Sequence, residues 1–320
     1  MTVSTFRQPE TTRMNKSLIT FAILAAAAGT AAAQSNVTVY GKIDLGVRKA
    51  VGATNSEMAT GSDGRLGFKG TEDLGGGNRA FFDLQHRFFP NTGAQDGAQF
   101  WKGLSQVGIG GAFGQVSFGR QYIAAFSMIQ DKIDPFGGDT VAQLRDVGFR
   151  VGGITKVRID SSIRYDYSTN GLNLAVSSAE STPNGGSDRP FSVGANYKVG
   201  GLFVGAGYED PAGANDRIVH VGAAYTMGAA TVSAGYAKGD TNANVTAKGF
   251  MVGLNWALGP GELKAAAGTQ KQGSTTTAQK VGLGYHYALS KRTTIYTDVG
   301  HDSKAVANKT GYDLGVKHTF

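Results

Sequence analysis

From residue 37 onward the chain alternates apolar and polar side chains with period two. Val37, Val39, Ile43, Leu45 and Val47 interleave with Thr38, Tyr40, Lys42, Asp44 and Arg48. Successive side chains of a strand point to opposite faces, so this stretch predicts a strand with one apolar and one polar face. The pattern recurs. Phe82, Leu84 and Phe88 alternate with Asp83, Gln85 and Arg87, and Ile163, Tyr165 and Tyr167 with Arg164 and Asp166. Sixteen such runs can be read, near 36–48, 65–72, 78–88, 101–110, 114–121, 161–168, 172–178, 189–199, 202–210, 217–227, 230–239, 247–258, 262–271, 277–289, 292–302 and 311–320.

The links between runs alternate in length. Gly111–Ala112, Gly200–Gly201, Gly228 and Ser290–Lys291 are short, and the intervening links are longer and polar. Short turns on one side and longer loops on the other, with an even strand number, describe an outer-membrane barrel. About eleven residues per strand suits a tilted crossing of the hydrocarbon layer. The predicted fold is therefore all-β, a sixteen-stranded antiparallel transmembrane β-barrel. A soluble β-sandwich also alternates. Three features weigh against it: full charges in the polar phase, Tyr and Trp at strand ends, and a length beyond the usual single core. Apart from Pro9, every proline falls in a link or at a strand end, as residues unable to donate to a ladder must.

One stretch refuses the pattern. Residues 122–160 lie between two clean strands and carry Asp131, Asp134, Asp139, Asp146 and Asp160 beside Lys132, Arg145, Arg150, Lys156 and Arg158. An insert of this length without strand pattern in a compact fold is usually functional. It is expected to fold into the tube as its third loop and narrow it.

The start of the chain reads differently. Lys16, the apolar run 18–28 and Ala31–Ala33 before Gln34 make a cleavable secretory leader, with Met14 as the expected start. The expected division is residues 1–33 as extension and leader and 34–320 as the barrel domain. The chain has no cysteine, and after the leader no apolar run approaches the ~20 residues of a membrane helix. In lipid only helices and closed barrels satisfy every backbone group, which leaves the barrel. The formal charge is +7, or +5 without residues 1–33, which hold Arg7, Arg13, Lys16 and Glu10. The basic residues are spread singly along strands, so no nucleic-acid partner is expected.

Several short motifs resemble the general porins of the Gram-negative outer membrane, in the neisserial and betaproteobacterial branch. Val37–Gly41 is similar to the family's first strand and Gly70–Gly77 to the end of its second strand and first periplasmic turn. Phe118–Gln121 resembles the end of the fifth strand. Asp134, Pro135, Phe136 and Gly137 resemble the motif within the constriction loop, and Gly315–Phe320 the terminal strand ending in phenylalanine. The resemblance covers nearly all of 34–320. It implies an outer-membrane location, a homotrimer in lipid and lipopolysaccharide, and passive diffusion of small hydrophilic solutes and inorganic ions. It also implies an assembly signal read by the outer-membrane machinery, for which Tyr312, Leu314, Val316 and Phe320 are the candidates.

The alternation itself assigns side chains to the lumen. Twelve basic residues fall in the polar phase, Lys42, Arg48, Arg65, Lys69, Arg79, Arg87, Arg164, Lys198, Lys264, Lys280, Arg292 and Lys317. Six acidic ones join them: Asp44, Asp83, Asp166, Glu209, Asp298 and Asp313. Rings of charge set selectivity, so an anion preference is expected. Arg65, Lys69, Arg79 and Arg87 are expected to form one basic patch with Lys42, Asp83 and Arg164 nearby. Asp131, Asp134 and Asp139 face it from the loop, or else pair with Lys132 and Arg145 to hold the loop's own fold. Arg120 falls in the apolar phase, where a charge is costly in lipid, and is expected at a subunit interface. The five histidines stand alone on different strands, with no metal spacing, and no nucleophile motif appears, so no enzyme, metal or cofactor is expected. A solute-specific channel is the alternative, with a barrel enzyme or adhesin behind it. A specific channel needs a row of lumenal aromatics, and the polar phase offers few beyond Tyr40, Phe81, Phe203 and Tyr296.

Overall fold

A computed structural model describes residues 36–320. The expected leader lies outside the described residues. Seventeen strands follow in order: β1 (Asn36–Lys49), β2 (Glu57–Ala59), β3 (Gly64–Gly75), β4 (Asn78–Phe88), β5 (Leu104–Gly111), β6 (Gly114–Tyr122), β7 (Arg158–Thr169), β8 (Leu172–Ala179), β9 (Phe191–Val199), β10 (Leu202–Asp210), β11 (Arg217–Met227), β12 (Ala230–Asp240), β13 (Thr246–Leu258), β14 (Gly261–Gln272), β15 (Thr275–Ala288), β16 (Thr293–Asp302) and β17 (Thr310–Thr319). Sixteen of them form the wall, each antiparallel to its chain neighbours. The remaining one, β2, is a three-residue strip paired with Gly46–Arg48 of β1, and the sequence pattern did not predict it. β1 pairs with β3 along its first half and with β17 along its second, which closes the cylinder. Closure leaves no unpaired edge, the condition for sheet in a bilayer.

The alternation decides which way each side chain points. Val39, Val107, Ile109, Phe118, Leu283 and Val316 stand exposed on the outer wall. Lys42, Asp44, Arg87, Glu209, Asp298 and Asp313 are buried inside it. This is the reverse of a soluble protein and places hydrocarbon outside the cylinder. Leu283, 55% exposed near the middle of β15, marks that surface. Leu283→Arg should cost about 2–4 kcal/mol of stability in lipid. Urea titration of folding into phosphatidylcholine vesicles measures the loss; a variant as stable as the parent contradicts the lipid-facing assignment.

Turn chemistry fits the short side. Thr169 pairs with Leu172 across Asn170–Gly171, whose φ angles are 46° and 84°. Two positive φ values make the mirror-image turn that matches strand twist, and Asn–Gly is the pair that adopts it most readily.

The buried apolar core comes mostly from the third loop. Ile129, Ile133, Phe136, Leu144, Phe149, Val151 and Ile154 cluster with Ile218, Ala237, Ala247, Met251 and Ala266 of the wall. The insert expected to lack strand structure thus carries most of the conventional hydrophobic packing. It contains a π-turn at Phe126–Gln130 and short helical pieces at Asp131–Ile133 and Arg145–Gly148. It is also slightly shorter than expected, since β7 already begins at Arg158.

The constriction formed by the third loop

The loop lies flat against β8–β16 because glycines line much of its path. Gly222 faces Ile133, Gly235 faces Phe149, Gly253 faces Pro135, Gly282 faces Ala142 and Gly300 faces Val141. A β-carbon at any of them would overlap the loop. A line of wall glycines therefore forms a trough for one segment. At Gly282 the obstacle is the Ala142 carbonyl, which belongs to the backbone and cannot swing away. Gly282→Val should destabilise the folded barrel by about 1–3 kcal/mol through overpacking. The midpoint of heat-induced band shift on cold SDS gels reads it; an unchanged midpoint means that the loop does not rest there.

Polar anchors fix the loop in the trough. Asn196 donates to the Met128 carbonyl at 2.9 Å, and the Ala125 N–H donates to the Ser192 hydroxyl at 2.9 Å. Lys264 donates to the Pro135 carbonyl at 2.6 Å and Lys280 to the Gln143 carbonyl at 2.8 Å. The Val141 N–H donates to Asp313 at 2.9 Å. On the returning arm the Lys156 N–H donates to Glu209 at 2.7 Å, and the Thr155 hydroxyl also donates to that carboxylate. Thus Lys264, Lys280, Glu209 and Asp313 occupy the inner face as the alternation requires, yet they hold the loop.

Asp134 organises the loop from within. Its carboxylate accepts from the N–H groups of Phe136 at 3.2 Å, Gly138 at 2.9 Å, Leu144 at 3.1 Å and Arg145 at 3.1 Å. The turn Asp134–Gly137 closes with a Gly137 N–H to Asp134 carbonyl bond of 2.9 Å. Asp134 is buried, so it does not present an acidic side to the lumen. Asp131 behaves as the second alternative anticipated, lying 3.4 Å from Arg145 and 3.9 Å from Lys132. Partial desolvation against the loop raises its carboxyl from the ordinary value, against the pull of Lys132 and Arg145.

Facing the loop, β1, β3 and β4 present one row of basic residues. Lys42 pairs in register with Arg65, and Arg65 with Arg87. Arg158, at the start of β7, joins them: its guanidinium and that of Arg87 both donate to the Tyr122 hydroxyl, at 2.7 and 3.4 Å. Asp139 of the loop lies 3.5 Å from Lys42, and Asp63 lies 3.6 Å from Arg87. Among the described residues Arg65 and Arg158 have no carboxylate within ion-pairing distance.

The other expected members of the patch lie elsewhere. Lys69 sits over the Tyr40 ring at 5.2 Å and pairs in register with Asp83, which accepts from the Tyr40 hydroxyl at 2.5 Å. Arg79 is eight residues down β4 from Arg87, about 26 Å away at strand rise, and donates to Gln115 at 3.1 Å near the short turns. Arg164 forms a two-point ion pair with Asp166 and donates to the Tyr122 carbonyl at 2.8 Å, which tethers the loop's root. Arg120, on the outer phase of β6, is met within its own chain by Asp160 at 2.6 Å and the Lys102 carbonyl at 2.9 Å. Arg120 is thus ion-paired within its own chain. Arg158 was missed as a wall residue because it stood inside the supposed insert. The ladder shifts between Gly119 and Gln121, and Ser161 has a φ of 49°, so the strand pattern breaks just beside it.

A closed barrel, apolar outside and charged within, narrowed by an infolded loop, defines a membrane pore. The chain belongs to the Gram-negative porin family, whose profile matches residues 20–305. It is 30% identical over 357 aligned positions to outer membrane porin protein 32 of Delftia acidovorans, covering 96% of this chain and all of that one. It is 30% identical to the major outer membrane protein P.IB of Neisseria meningitidis serogroup B, over 60% of this chain and 57% of that one. Among solved structures the anion-selective porin from Comamonas acidovorans superposes with a TM-score of 0.77 at 24% identity, over 90% of this chain and all of that one. The protein is an outer-membrane general diffusion porin that passes small hydrophilic solutes and ions.

Proposed function

We propose that this porin prefers anions. The observation that carries the reading is the row Lys42, Arg65, Arg87 and Arg158, two of whose guanidinium groups lack any acidic partner among the described residues. A charged passage between low-dielectric walls focuses its potential on passing ions. The Comamonas porin, on which this barrel superposes, is an anion-selective one, which agrees with the reading. Reversal potentials in a KCl gradient across planar bilayers test it. A potential of the sign for chloride passage is expected; cation selectivity overturns it.

The lumen favours a general pore over a solute-specific one. Of the four aromatics first considered, Tyr296 is buried against Asp44 and Phe203 packs on the loop's core. Tyr40 and Phe81 remain and, with Tyr122 at the root of the loop, are too few for a sliding row. Liposome swelling with sugars of graded size should give a smooth cut-off without saturation. The reading is of a channel without catalysis. It extends to a homotrimer seated in lipid and lipopolysaccharide, made after cleavage of the leader at residues 1–33. It also extends to recognition of Tyr312, Leu314, Val316 and Phe320 by the assembly machinery. Those four side chains share the exposed outer phase of the last strand and the residue that follows it.

A further inference from the structure

The basic row sets a physical problem. Arg87 and Arg158 are like charges brought to one point, and Arg158 has no carboxylate at ion-pairing distance among the described residues. The Nε atoms of Arg65, Arg87 and Arg158 are all buried without a hydrogen-bond partner. Like charges drawn from water repel, and long side chains avoid this by swinging apart.

A single uncharged residue bridges the two. The Tyr122 hydroxyl oxygen accepts from Arg158 at 2.7 Å and from Arg87 at 3.4 Å. The Arg158 guanidinium also lies over the Tyr122 ring, 4.3 Å from its centroid. The negative face of an aromatic ring attracts a cation, so oxygen and ring act together. With both oxygen lone pairs engaged by guanidinium groups, the hydroxyl proton remains available to an anion in the passage.

Tyr122 is itself fixed from the other side. Its ring stacks on Phe126 at 5.1 Å between centroids and 13° between planes. Arg145 lies over the Phe126 ring at 5.3 Å and donates to the Gly137 carbonyl at 3.0 Å. The series Arg158, Tyr122, Phe126, Arg145 thus runs from the barrel wall to the far arm of the loop. The Tyr122 backbone is held by Arg164 at 2.8 Å.

We propose that Tyr122 is a selectivity-determining positioning residue, whose hydroxyl and ring hold Arg87 and Arg158 together at the constriction. The proposal rests on the anion reading above and adds that selectivity depends on a side chain without charge. Removing the hydroxyl leaves the charge count unchanged but frees two arginines to leave the row.

Tyr122→Phe tests this, because it keeps the ring and its stacking. Its chloride-to-potassium permeability ratio should fall by about twofold, since a charge that moves a few ångströms within a Debye length changes the local potential. The shift should vanish when Tyr122→Phe is added to Arg158→Gln, where there is nothing left to position. A purely structural role predicts equal shifts in both backgrounds. Phe126→Leu, which loosens the ring but keeps the hydroxyl, should shift the ratio in the same direction and serves if Tyr122→Phe folds poorly. Ratios equal to the parent's in the variants that fold, or the same shift with and without Arg158, overturn the proposal. The parent's own reversal potential separates the two ideas. A cation-selective parent removes the anion reading, while a shift that disappears in Arg158→Gln still supports the role of Tyr122.

Discussion

The triple variant Arg65→Gln, Arg87→Gln, Arg158→Gln should lose most of its preference for chloride, with the permeability ratio falling by about fivefold. Glutamine is shorter than arginine but stays polar, so the inner wall remains hydrophilic while three charges leave one row. The fixed charges that stay beside the row include Lys42 with Asp139, and Asp63, which then lacks its partner at Arg87. The loss should be larger in dilute salt than in concentrated salt. Screening acts over about 10 Å at 0.1 M and about 3 Å at 1 M, so bulk ions replace the wall's influence as salt rises. The same substitutions at Lys264 and Lys280 should behave otherwise, since those amines spend themselves on loop carbonyls. They should disturb the loop more than the sign of the ions that pass. Bilayer recordings at both salt strengths distinguish these outcomes, and a triple variant as anion-selective as the parent contradicts the assignment of the row.

Asp134→Ala should change the channel as much, by a different route. Four backbone N–H groups converge on this carboxylate from residues 136, 138, 144 and 145. Each buried donor left without an acceptor costs about 1–3 kcal/mol, so the local loss amounts to several kcal/mol even if some groups find water. The barrel wall does not depend on Asp134 and should form with unchanged strand content. The loop should lose its turn, giving noisier and larger single-channel currents and faster swelling with larger sugars. Asp134→Asn can keep its carbonyl oxygen on the N–H groups of residues 138, 144 and 145 and turn its amide nitrogen toward that of Phe136 alone, and should fall between parent and alanine. Wild-type currents and an unaltered sugar cut-off in Asp134→Ala would show that the loop is held without it.

Strands were legible because lipid outside and water inside force a period of two along nearly every run. Their ends moved by only a few residues, as with β7 starting at Arg158 and β15 at Thr275. The loop was legible as an interruption but not as a fold. Its contacts lie far along the chain, Ala125 with Ser192 and Val141 with Asp313. Local sequence carries no trace of such partners. Charge sign was legible, but its use was not. Lys280 and Arg87 share the same polar phase, yet one is capped by the Gln143 carbonyl and the other stands in the basic row. Arg120 is a similar case: its place in the apolar phase was legible, but its ion pair with Asp160, forty residues along the chain, was not.

The glycine trough has a consequence for how such an aperture is adjusted. A shim placed behind a valve plate alters the opening without touching the flow. Alanine at Gly222 or Gly235 would act in this way, lifting the loop at Ile133 or Phe149 toward the basic wall. Calibre and ion preference are then separate dials, one turned from behind the loop and the other on the face that solutes meet.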